Sequence, residues 1–406
     1  MWSLGALGLA VLTVGIDGRV LRVALPTLAK ALHASKSDLQ WFSSGYFLLL
    51  AAAMLLAGLL GDRYGYRRSS SSPWRCRDRI GSVCALHVGG GVHGRPGTPT
   101  IPLPDKEDTS MSEISPQPIA FTSDGVQLAG NLYLPGEGRY PGVVVAGTWT
   151  SVKEQMANRY AERLASRGYA ALSFDFAGFG ASNGKPRDCE SPASKIRNIH
   201  DAVTFLAAHP AIDPHRLATL GVCASAGYMA VNAAADQRVK ALAIIAPWVH
   251  DRNIVEDLYG GPQGVATKIA AGNAARDAYE QTGEVQCVPT VGAGNPLAAM
   301  PFDIDFYQNP ARGAVPQWPN RFAVMSWTEW LTFDPIAVAR RITVPTLMVH
   351  SEQAAIPQGA HRFYGELTSA KTEIWGIGDQ FAYYDGEPQV TQASDAAATH
   401  FGKYLN

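Results

Sequence analysis

From residue 126 onward, short apolar runs alternate with longer stretches of amphipathic period, a pattern that predicts strands separated by helices. Residues 142–146 and 169–174 are almost continuously apolar and rich in β-branched and aromatic side chains, as strands buried on both faces are. Between them, residues 154–166 place apolar positions three and four apart, the spacing of a helix lying on the sheet. Residues 126–134 predict an early hairpin strand, and 216–221, 241–246 and 346–349 supply three more. The implied fold class is α/β, a mostly parallel sheet with helices on both faces. The gap between the last two strands is about a hundred residues, far beyond an ordinary connection, so an inserted helical cap is expected at about 252–335. Its aromatic residues, Trp318, Trp327 and Trp330 with Tyr259 and Phe322, either pack the cap or line an apolar substrate pocket.

The first seventy residues follow a different pattern. Residues 41–60 carry no charge, and that run is about long enough to span a bilayer. An earlier apolar run at 4–25 is interrupted by Asp17, Arg19 and Arg22, charges that are costly in hydrocarbon unless they face protein. No basic segment precedes it, which argues against a cleaved signal peptide. Ser69 to Ser72 then open an Arg-, Gly- and Pro-rich stretch with no helical or strand period, expected to be a linker at 69–110. The segment from Met111 to the end is expected to fold without anything upstream, as a domain at 111–406.

Within residues 1–68, Ile16-Asp17, Ala24-Leu25-Pro26-Thr27-Leu28-Ala29 and Gly61-Asp62-Arg63-Tyr64-Gly65-Tyr66-Arg67-Arg68 make the segment similar to the start of a major facilitator superfamily drug:proton antiporter. The resemblance stops near Arg68, and two spans cannot build the two-lobed pathway such transport needs. A transporter remnant, a fused reading frame and a working membrane anchor remain open; with an anchor, Arg63, Arg67 and Arg68 would keep the rest of the chain cytoplasmic.

Charge narrows the partners. Thirty-four basic residues face 35 acidic ones, so no global field attracts nucleic acid, and a small molecule is the expected partner. Five widely spaced cysteines, Cys76, Cys84, Cys189, Cys223 and Cys287, include no C-x-x-C pair, which points to reduced thiols in a cytoplasmic setting.

The most specific local signal is Gly221-Val222-Cys223-Ala224-Ser225, small residues between an apolar strand and a helical stretch at 228–235. Such a turn exposes a nucleophile. It can be framed with Cys223 or with Ser225 as that nucleophile; strand register favours Cys223, whose thiol, beside a helix N-terminus, is expected to have a lowered pKa. With this turn, Gly147-Thr148-Trp149, Phe174-Asp175-Phe176-Ala177-Gly178-Phe179-Gly180-Ala181-Ser182-Asn183-Gly184 and Val344-Pro345-Thr346-Leu347, the domain resembles α/β-hydrolases of the dienelactone hydrolase group and its relatives among fungal polyketide transferases. The resemblance implies an α/β-hydrolase fold, no organic cofactor, and an oxyanion hole from main-chain N–H groups of Ala224 and of the Thr148-Trp149 turn.

The family's acid follows the seventh strand and its histidine lies near the C-terminus. Glu352 stands close to the acid position, but Gln380 occupies the histidine's, and glutamine cannot take a proton at neutral pH. His350, or His250 beside Asp251, could substitute; Cys223 could act pre-ionised; or the domain could be a binding module that has lost catalysis. His209, His215 and His361 have no metal-ligand spacing, and no metal is assigned; Gly178-x-Gly180 lacks the third glycine of a dinucleotide fingerprint. The expected function is a hydrolase or acyltransferase acting on an ester, thioester or lactone.

Overall fold

A computed structural model describes residues 114–405. The expected spans at 4–25 and 41–60 and the linker at 69–110 lie outside the described residues. Among the described residues, no helix is long and apolar enough to cross a membrane.

An eight-stranded sheet forms the centre, built from β1 (Gln117–Ser123), β2 (Val126–Tyr133), β3 (Tyr140–Ala146), β4 (Ala170–Phe174), β5 (Ile212–Val222), β6 (Val239–Ile245), β9 (Thr346–Ser351) and β10 (Lys371–Gly376). Their order is β1-β2-β4-β3-β5-β6-β9-β10. Only the β1–β2 and β2–β4 pairs are antiparallel. The remaining pairs are parallel, and the inner strands among them are covered on both faces and read as apolar runs: in β3 every residue after Tyr140 is buried, whereas the edge strand β10 is mostly exposed.

Helices cover the sheet through apolar stripes at helical spacing. In α1 (Met156–Ala165) the buried set is Met156, Ala157, Tyr160, Ala161, Leu164 and Ala165. Full burial of a side chain such as Leu164 contributes about 1.5–3 kcal/mol. Helix α2 (Pro192–Ala208) starts where Ser191 accepts a hydrogen bond from the Ser194 N–H, with Pro192 in the first turn. Helix α3 (Ala224–Ala235) follows β5 after a single residue.

Between β6 and β9 lie α4 (Arg252–Leu258), α5 (Gly261–Thr282), α6 (Asp305–Gln308) and α7 (Ser326–Thr332). A small antiparallel ribbon of β7 (Cys287–Pro289) and β8 (Arg321–Ala323), which the sequence pattern did not reveal, completes this region. Helices α8 (Pro357–Glu366), α9 (Ala382–Asp385) and α10 (Gln389–Tyr404) close the chain.

Candidate active site

The parallel strands end on one edge, and the backbone is strained there. Thr150, Cys223, Ala246 and Ile356, each following β3, β5, β6 or β9, all have positive φ although none is glycine. Such conformations cost on the order of 1–3 kcal/mol each and gather at functional sites. At Cys223 φ is 56° and ψ −118°. Three main-chain hydrogen bonds hold it: its N–H donates to the Ile245 carbonyl at 3.0 Å, and its carbonyl accepts from Ala226 at 3.1 Å and Trp248 at 2.9 Å. Gly221 makes the sharp turn possible, because a Cβ there would lie 2.5 Å from the Ser225 carbonyl oxygen.

This geometry puts Cys223 at the apex of the turn. Ser225 lies inside the first turn of α3, fully buried, and its hydroxyl has no hydrogen-bond partner.

The Cys223 thiol is buried, 4% exposed. Burial pushes its pKa up, and the hydroxyls of Thr148 and Tyr384 with the main-chain N–H groups of Ala224 and Trp149 offset this only in part. The expected lowering by the helix N-terminus is therefore corrected, because loss of water around the sulfur outweighs the helix. The N–H groups of Ala224 and Trp149 and the Thr148 hydroxyl thus lie near enough to the sulfur to favour its thiolate.

The loop after β3 that carries these groups is held from several directions. Ser151 Oγ donates to the Thr148 carbonyl at 2.8 Å, Trp318 Nε1 to the Thr150 carbonyl at 3.0 Å, and the Thr150 N–H to Glu190 at 2.8 Å. Glu190 also accepts from the Tyr228 hydroxyl on α3 at 2.6 Å and from Lys195 at 2.8 Å. Its carboxylate thus joins the loop after β3 to the helix after Cys223. The Lys195 ammonium also sits 4.6 Å from the ring centre of Phe176 and 4.5 Å from that of Phe179.

Gln380 Nε2 donates to the Ala246 carbonyl at 2.8 Å and to the Tyr384 hydroxyl at 3.3 Å, and Oε1 accepts from the Ala355 N–H at 2.9 Å. Tyr384, buried, lies 3.2 Å from the Thr148 hydroxyl and close enough to Cys223 for each group to shift the other's pKa. Glu352 is elsewhere: its side chain is 67% exposed and meets His361 at 3.0 Å. Glu352, expected close to the acid position, therefore does not face Gln380, because the loop after β9 turns that carboxylate out to solvent.

Neither alternative histidine stands at the sulfur as a free base. His250 Nδ1 accepts from Trp248 Nε1 at 2.9 Å, which leaves Nε2 to donate to the Trp330 carbonyl at 3.2 Å. Burial pushes its pKa down to about 4. His350 is fully buried with neither ring nitrogen hydrogen-bonded, lies edge-on to Trp375, and is likewise pushed down to about 4 by burial. Asp251 caps α4 through the Ile254 N–H and pairs with Arg362, a structural role.

Trp330 and Trp327 surround Trp149 with ring centres 5.2 and 6.0 Å away, and Phe322 lies at 4.7 Å. Trp318 stacks on Tyr307 at 4.9 Å. Tyr307 and Tyr259, both enclosed, are close enough that negative charge on Cys223 would raise their pKa further.

Sequence reasoning missed Tyr384, Tyr307, Glu190, Tyr228 and Lys195. Two local signals were available: Tyr384 lies four residues after Gln380, and Glu190 directly precedes the Ser191-Pro192 helix start. Among the described residues, no group of three or more His, Cys, Asp or Glu side chains could hold a metal ion.

A mostly parallel eight-stranded sheet, a strained turn between β5 and α3, and a loop after β3 that turns main-chain N–H groups toward it define an α/β-hydrolase. The family model described as X-Pro dipeptidyl-peptidase (S15 family) matches residues 124–379, and the chain belongs to this family. An uncharacterised protein of Escherichia coli is 25% identical over 310 residues, covering 71% of this chain and 98% of that one. A thiohydrolase of Aspergillus aculeatus is 34% identical over 188 residues, 46% of this chain and 57% of its own length. The solved α/β-hydrolase GrgF of a Penicillium species superimposes with a TM-score of 0.63 at 21% identity, covering 72% of this chain and 99% of that one. The Major Facilitator Superfamily model matches residues 7–71.

Proposed function

We propose that Cys223 is the nucleophile of an acyl-transfer site, with the main-chain N–H groups of Trp149 and Ala224 receiving the negative oxygen that forms when its sulfur attacks a carbonyl. The observation that carries this reading is the strained backbone at Cys223, at the apex of the turn between β5 and α3, with the N–H groups of Ala224 and Trp149 near its sulfur. The chain is a hydrolase or acyltransferase acting on ester or thioester bonds, and its substrates are small molecules; the thiohydrolase relative favours thioesters. The reaction forms an Sγ–C bond, expels the leaving group, and then passes the acyl group to an acceptor. Trp149, Trp327 and Trp330 with Tyr259 and Tyr307 provide the apolar wall on which the acyl group rests. The catalytic domain works in the cytoplasm with reduced thiols; were residues 1–68 inserted in a membrane, the basic residues after the second run would keep it on that side.

Exposure to an activated thioester followed by peptide mass spectrometry tests the assignment. The acyl group should be found on Cys223, Cys223→Ala should abolish turnover, and Ser225→Ala should leave a measurable remainder. An acyl group on Ser225, or turnover surviving in Cys223→Ala, would overturn it.

A further inference from the structure

The reading of Cys223 as nucleophile leaves its proton without a destination, since no histidine base stands at the sulfur. A different group does. The Gln380 amide is oriented by the main chain: the Ala246 carbonyl requires a donor and the Ala355 N–H an acceptor, so nitrogen faces Ala246 and oxygen faces Ala355. The remaining amide hydrogen points to the Tyr384 hydroxyl oxygen, 3.3 Å away. That oxygen is an acceptor toward Gln380, so its own hydrogen is left for its other neighbours, Thr148 Oγ1 at 3.2 Å and the nearby Cys223.

We infer that Tyr384, aimed by Gln380, passes the Cys223 proton to the departing sulfur of a thioester substrate, so that this site exchanges thioesters without a histidine base. In the step, Cys223 Sγ bonds to the carbonyl carbon and gives its proton to Tyr384 Oη. Tyr384 gives its own proton to the leaving sulfur as the old carbon–sulfur bond breaks. One thioester and one thiol become another thioester and another thiol, with no net proton gained or lost. Tyr384 never needs to ionise, which suits its surroundings: burial and nearby Cys223 push its pKa well above the usual phenol value. Burial likewise keeps the resting thiol neutral, so a shuttle suits the site better than a pre-formed thiolate. Gln380 is a positioning residue in this scheme, and Tyr384 a catalytic one.

The test compares two thioesters of one acyl group, an N-acetylcysteamine thioester, whose alkyl thiol must leave protonated, and a p-nitrothiophenyl thioester, whose aryl thiolate leaves without a proton. Tyr384→Phe should slow acylation by both substrates, because Cys223 loses the acceptor of its proton, and should slow the alkyl thioester further, by on the order of 10²-fold relative to the aryl one, the low end for positioned proton transfer, because only the alkyl sulfur also needs a proton delivered. Wild-type protein in deuterium oxide supplies the second reading, with a larger rate decrease for the alkyl thioester, in which two protons move, than for the aryl one, in which only the Cys223 proton does, and it does not depend on the variant folding. Equal slowing of both substrates, in Tyr384→Phe or in deuterium oxide, would overturn the relay, because a packing defect or a general solvent effect does not read the leaving group. If wild-type Cys223 takes up no acyl group from the aryl thioester, the nucleophile assignment itself fails, and the relay with it.

Discussion

The buried histidines make a prediction about acid stability that also decides whether His350 serves the chemistry. His350 is fully buried without a hydrogen bond at either ring nitrogen, and its pKa is pushed down from 6.5 to about 4. His250 is buried and pushed down to about 4 as well, with both nitrogens bonded. Because the folded pKa lies below the unfolded one, the unfolded chain binds the proton first on acidification. The stability is fully present above about pH 6.5 and is lost as pH falls toward about 4. At about 1.36 kcal/mol per pKa unit, each histidine accounts for a loss of about 2.5 kcal/mol between roughly pH 7 and pH 4.5. Replacing His350 by leucine, similar in volume and unable to titrate, removes one of these two contributions. Urea unfolding followed by tryptophan fluorescence across that pH range should therefore show the wild type losing about 2.5 kcal/mol more than His350→Leu. A stability difference that stays constant with pH would refute the argument, since it would mean that the imidazole has the same pKa in both states. At neutral pH the folded variant should still acylate Cys223. Complete loss of acylation would return His350 to the role of base.

Gln380→His should raise ester hydrolysis by less than about tenfold, short of the 10²–10⁴-fold of a positioned base, because Glu352 is turned to solvent and Ala246 and Ala355 compete for the new ring's nitrogens; a larger gain with a new pH limb between about 6 and 7 would contradict this. A chain beginning at Met111 should unfold cooperatively in urea and acylate Cys223, because the eight-stranded sheet and its covering helices are built from residues after it; aggregation of that chain under conditions where the full-length protein stays folded would show that upstream residues complete the core.

What the amino-acid sequence determined by itself is what depends on near neighbours. Continuous apolar runs specify strands buried on both faces, as in β3 and β4, and apolar spacing of three and four specifies α1. The turn at Gly221-Val222-Cys223 is local too, since it needs only a small residue before the apex and a helix after it, and the Thr148-Trp149 loop was marked by its resemblance to the corresponding loop of α/β-hydrolases. What meets at the sulfur was decided by tertiary packing. Thr148 and Tyr384 are 236 residues apart, and their hydroxyls come within 3.2 Å because they follow β3 and β10, parallel strands whose C-terminal ends share one edge of the sheet. The same packing sends Glu352 outward to His361, ties His250 to Trp248 and Trp330, and buries His350 against Trp375. Sequence position alone made Glu352, His250 and His350 plausible partners for Cys223, because a residue's type says what it can donate or accept, whereas its direction follows from backbone torsions and from the elements that pack against it.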